Sequence, residues 1–140
     1  MPIEINDLDN GLGSLIEGKG YVTRQEYINA LSKHLKQDQE NLKRYRYSIS
    51  DYTAVTDFDV RTEDITYVMG LSDEVAGVNP DVIVAIVADK DLLFGLSRMF
   101  QLRLDATNWE LMVFRKREEA NAWIRNRVKE KYKIDGLKLS

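Results

Sequence analysis

Residues 81–128, DVIVAIVADKDLLFGLSRMFQLRLDATNWELMVFRKREEANAWIRNRV, constrain the fold of this chain more than any other stretch. Val82 to Ala88 is apolar without alternation, as in a strand covered on both faces. Leu92, Leu93, Leu96, Met99 and Phe100 then recur at helical spacing. Trp109 to Phe114 reads as a second strand with apolar residues on both faces. Arg117 to about Tyr132 reads as a helix buried through Ala120, Trp123, Ile124 and Val128. A strand, a helix and another strand of this kind form a βαβ crossover, expected to be right-handed.

The remaining residues add elements to that unit. Ile3, Ile5 and Leu8, then Leu12, Leu15 and Ile16, flank Asn10-Gly11, a hairpin signal. Gly18-Lys19-Gly20 reads as a turn. Thr23 and Glu26 make a capping box for a helix buried through Ile28, Leu31 and Leu35. Gln39 to Arg46 suits a loop or a short helix. Residues 45–55 alternate as a strand, Asp57-Phe58-Asp59 forms a loop, and Thr62 caps the next helix. Gly95 implies close packing of its helix on the sheet, and the tail from Asp135 to Ser140 is expected to fray. The expected fold is α/β: one domain over 1–140, with a single mixed sheet of about five strands and an N-terminal hairpin. About four helices cover it, in the order ββαβαβαβα.

No cysteine is present, which removes disulfides and thiol chemistry and suits a reducing cytosol. The start carries no basic-then-apolar leader, and the longest apolar run is far short of a membrane span of roughly 20 residues. A cytoplasmic protein without membrane insertion is expected. The net charge is −3, yet residues 115–140 hold nine Lys/Arg against four Asp/Glu. A solvated amphipathic helix explains that bias better than a nucleic-acid surface. The run Lys43-Arg44-Tyr45-Arg46-Tyr47 likewise reads as an edge strand rather than a base-stacking surface.

Catalytic constellations are not found in the sequence. His34 is the one histidine, with no G-x-S-x-G elbow to serve, and reads as structural. Gly11-Leu12-Gly13 lacks the rest of a dinucleotide motif. Acidic residues gather at two expected strand-to-helix loops. Asp57, Phe58, Asp59, Arg61 and Thr62 form the first, and Asp89, Lys90 and Asp91 the second. Ligands of open α/β sheets bind beyond the carboxyl ends of strands, so these eight residues are the candidate ligand or partner loops. Asp is equally the ordinary cap and turn residue, and neither a metal nor a cofactor is expected.

Four segments together resemble a family. They are Tyr45-Arg46-Tyr47-Ser48 to Asp51, Val84-Ala85-Ile86-Val87-Ala88-Asp89, Gly95-Leu96-Ser97-Arg98-Met99, and Val113-Phe114-Arg115 followed by Glu118-Glu119-Ala120-Asn121-Ala122-Trp123-Ile124. Over roughly residues 20–130 the chain resembles the SpoIIAA-like, or STAS-like, superfamily, and within it bacterial STAS/Sec14-type domain proteins. The resemblance implies a sheet with helices, no catalysis, and a regulatory role exercised by contact with another protein or in a homodimer. Antagonists of anti-sigma factors in that superfamily carry a phosphorylatable serine in an Asp-Ser-Ser-Gly-like loop. Asp57 to Thr62 keeps an Asp but lacks the serine and the glycine, leaving Thr62 as the nearby hydroxyl. The Sec14-type relatives imply the alternative, a small apolar ligand in a pocket. Tyr52, Phe58, Tyr67, Met69, Met99 and Phe100 are its expected lining.

Overall fold

The computed structural model describes residues 2–104 and 108–139. One five-stranded sheet holds β1 (Ile3–Leu8), β2 (Gly13–Thr23), β3 (Tyr47–Asp59), β4 (Ile83–Val87) and β5 (Glu110–Phe114), in that spatial order. The first pair is antiparallel, and the other three are parallel. The helices are α1 (Arg24–Leu35), α2 (Gln39–Arg44), α3 (Thr62–Val78), α4 (Asp91–Leu104) and α5 (Arg117–Tyr132). The expected mixed sheet with its N-terminal hairpin is present, and the segment left open between loop and helix forms α2.

Spatial order follows chain order, so every crossover advances in one direction. Crossovers of one hand then place their helices on one face of the sheet. One core cluster accordingly joins Tyr27 and Leu31 of α1, Ile65 and Val68 of α3 and Leu93 of α4 to Ile16, Val84 and Ile86. On the opposite face, Ala120, Ile124 and Val128 of α5 cover Tyr47, Ile49, Ile83, Ala85 and Val87. The residues of β4 alternate between these two cores, which is why Val82 to Ala88 is apolar throughout.

Local chemistry sets the element ends. Thr23 accepts from the Glu26 amide at 3.2 Å, and Glu26 Oε1 accepts from the Thr23 amide at 3.1 Å, completing the expected box. Thr62, by contrast, is the first residue of α3 and not its cap. Arg61 holds the cap position, and its amide donates to Asp64 Oδ2 at 2.9 Å. Gly18-Lys19-Gly20 is not a turn. It lies within β2, where the pairing with β3 shifts register on either side. An added Cβ on Gly18 would sit 2.7 Å from Val55 Cγ2, so the glycine permits the close approach there. A Cβ on Gly13 would fall 2.0 Å from Cζ of the Tyr47 ring, which lies across the bare backbone.

Four further expectations are corrected. Asp57-Phe58-Asp59 is not a loop, because β3 runs on to Asp59 by pairing with the long β2 strand beyond the end of β4. Tyr45 and Tyr47 are not on an edge: both are buried, and β3 is flanked by β2 and β4. Gly95 is exposed and a Cβ there would meet nothing within 4 Å, so close packing does not explain it. The tail does not fray over its described residues, Ser140 lying outside them. Leu137 and Leu139 are buried in the α5-side core. Asp9 accepts the Lys138 and Leu139 amides at 2.8 and 3.2 Å, while Arg125 donates to the Leu137 carbonyl and Arg117 to that of Leu139.

Candidate functional site

The two predicted acidic loops do not converge. Asp57 and Asp59 are exposed on β3, opposite Tyr21 and Thr23 of β2. Exposed Arg61 lies 3.9 Å from Glu63, and the Thr62 carbonyl accepts from Thr66 Oγ1 within α3. Asp89 faces Lys90 at 3.4 Å, and Lys90 also reaches the Thr53 carbonyl. Arg115 binds Asp91 at 2.9 Å and stacks over Phe94, 4.1 Å from its centroid. The carboxylates thus have local cationic partners or face solvent, and among the described residues no cluster of His, Asp or Glu could hold a metal ion. Topology supplies the reason. A ligand crevice forms at strand ends where strand order reverses. From β2 to β5 the order has no reversal.

Of the eight candidates, Phe58 lines a cavity between the sheet and its helical layer, and the other seven do not line it. A cavity of about 100 Å³ separates the sheet from α1, α3 and α4. Its floor is Ser14 and Ile16 of β2, Ser48, Ser50 and Tyr52 of β3, and the upper face of β4 with Val82 ahead of it. Its roof is Tyr27, Leu31, His34 and Leu35 of α1, Ile65, Val68, Ser72 and Val75 of α3, and Leu93, Leu96, Ser97 and Phe100 of α4. Tyr52, Phe58 and Phe100 line it as expected. Tyr67, nearly half exposed, Met69, buried in the neighbouring core, and Met99 do not.

Hydroxyls line part of this space, where a packed core would place branched aliphatics. Ser14 Oγ donates to Ser48 Oγ at 3.0 Å, and Ser72 Oγ donates to the Val68 carbonyl at 3.0 Å. Tyr27 and Ser97, only 4% and 7% exposed, both line the cavity. No Asp, Glu, Lys or Arg among the described residues lines the wall. Burial pushes the Tyr27 phenol well above its ordinary value and that of Tyr52 to about 12, so both hydroxyls stay protonated.

One end is closed by a polar group around His34. Gln37 Nε2 lies 3.1 Å from His34 Nδ1, the rings of His34 and Tyr45 are 5.7 Å apart, and the Tyr45 hydroxyl donates to Asp7. Burial holds the imidazole below its ordinary pKa against the opposing pull of Asp7, which keeps the ring neutral near pH 7. With Gln37 donating, Nδ1 is the acceptor and the ring proton sits on Nε2. A neutral, hydroxyl-dotted apolar chamber can hold an uncharged molecule.

The basic C-terminal residues are largely engaged within the chain. Arg117 pairs with Asp51 at 3.2 Å, Arg127 with Glu110 at 2.7 Å and Lys131 with Asp81 at 3.5 Å. Among the described residues, no helix is long and apolar enough to cross a membrane.

Sequence reasoning missed Ser14, Ser48, Ser50, Ser72, Ser97, Tyr27, His34 and Tyr45 as cavity residues. The available signal was the β3 alternation Tyr47-Ser48-Ile49-Ser50, whose polar face is interior because the strand is covered on both sides. No protein-family model matches this chain, and no curated protein matches it.

Proposed function

We propose that the chain is a non-enzymatic cytoplasmic binding module that holds a small, mostly apolar molecule between its sheet and the layer of α1, α3 and α4. The observation that carries this reading is the hydroxyl-dotted cavity of about 100 Å³. An engineered apolar cavity of about 150 Å³ is known to take up benzene, so this smaller chamber has room for no more than one ring. The proposal realises the Sec14-type side of the STAS-like resemblance, on a far smaller scale. Amide-resolved NMR titration with benzene tests it. Shifts are expected at Leu31, Val68 and Ile86, with none at Ala120 and Ile124 beneath α5. A spectrum unchanged at benzene saturation, with ordered water filling the chamber in a crystal, would remove the reading.

A second reading, regulation by protein contact or homodimer formation, is favoured by Leu92 and Leu102 of α4, which are 67% and 70% exposed, and by exposed Met112 on the border strand β5. That strand is not open for plain strand addition. Glu110 and Phe114 pair toward β4, so the backbone N–H and C=O of Leu111 face the free edge, and that carbonyl accepts from Gln101 Nε2 at 2.7 Å. Sedimentation across a concentration series, with Leu102→Arg as control, tests this reading. A concentration-independent monomer excludes the homodimer.

A further inference from the structure

The chemical class of the ligand follows from what the chamber wall offers and what it lacks. An ionised ligand entering a wall that, among the described residues, holds no Asp, Glu, Lys or Arg loses its hydration with no counter-charge there to replace it. A pure hydrocarbon sets an apolar surface against the Tyr27 and Ser97 hydroxyls, which line the wall on residues more than nine-tenths buried, and gives them no hydrogen bond. An uncharged molecule with an apolar body and one hydrogen-bonding group satisfies both conditions. Leu31, Val68 and Ile86 supply dispersion contacts for the body, and the hydroxyls receive the polar end. A rigid ring fits better than a flexible chain of equal volume, because it has fewer rotors to freeze. We propose that the chamber is a site for a small neutral aromatic alcohol of the phenol class, bound through the hydroxyls of Tyr27 and Ser97. This inference rests on the binding reading above, and its test separates the two.

The experiment is calorimetric and NMR titration of the full chain with benzene, phenol and benzoate, three probes of similar ring size. In a purely apolar cavity phenol binds more weakly than benzene, because its hydroxyl is desolvated without compensation. Here phenol is expected to bind about fivefold more tightly than benzene, the effect of one neutral hydrogen bond. Benzoate is expected to bind at least about a hundredfold more weakly than phenol. Benzene equal to or tighter than phenol would overturn the phenol assignment while leaving the binding reading intact; silence from all three overturns both. Tyr27→Phe and Ser97→Ala remove one hydroxyl each with little change of shape. At least one is expected to lower the ratio of phenol to benzene affinity by about fivefold. If both variants keep the preference, the assignment of these hydroxyls is wrong.

Discussion

The Tyr47 ring occupies the space where Gly13 would carry a side chain, and its hydroxyl donates to Asp9. Gly13→Ala therefore expels a fully buried aromatic rather than filling a void. A loss of about 2 kcal/mol or more is expected in denaturant melts. Gly95→Ala, at an open helical position, is expected to stabilise by up to about 1 kcal/mol. His34 behaves as a pH reporter. Its folded pKa is depressed, so on acidification through about 6.5 the unfolded chain takes up a proton that the folded chain refuses. Its contribution is thus present at high pH and falls away below that point. Stability is expected to drop between pH 7.5 and about 5.5, and His34→Gln should flatten that step. At this scale the sequence misleads most. Ser48 and Ser50 look solvent-facing by alternation, and their place against the cavity, Ser48 half-buried and Ser50 buried, follows from a helical layer that no local window reports.

Among elements, the best-tied junction joins the N-termini of α1 and α3. Asp64 is 2% exposed and accepts from Arg24 Nε at 2.9 Å and from Arg24 Nη2 at 3.1 Å, besides the Arg61 amide. The Arg24 guanidinium holds its carboxyl below the ordinary range, so its contribution is full above about pH 4 and lost as pH falls through the folded value. Asp64→Asn is expected to cost about 2 kcal/mol at pH 7, with the difference from the parent chain shrinking in acid melts below about pH 4. The tail is a second tie. Asp9→Ala is expected to raise hydrogen exchange at Lys138 and Leu139 and to cost about 1–3 kcal/mol. Helix existence was readable from capping and period, as at Thr23 and Glu26. The extension of β3 to Asp59 was not, because it depends on a partner strand nearly forty residues earlier. The tail escaped for the same reason, its partners Asp9, Arg117 and Arg125 being invisible to composition.

At the scale of the molecule, the cavity sets stability against binding. Ser97→Val adds carbon to an underfilled core. It is expected to raise the melting temperature by about 3 °C and to weaken benzene uptake, measured together by calorimetry. The class of the fold was legible because Val82 to Ala88 has no polar face, and a strand of that kind belongs between two layers. The location of the candidate site was not, since it arises from three helices sharing one face.

That sequential strand order has a kinetic corollary. Each strand lies beside its predecessor, so the sheet can lengthen as the ribosome delivers the chain, and no backbone pairing waits for residues not yet translated. The stitch from Asp9 to residues 138 and 139 is of the opposite kind. It closes only after everything between has been made, and exchange at those two amides would report that late closure in a pulse-labelled nascent chain.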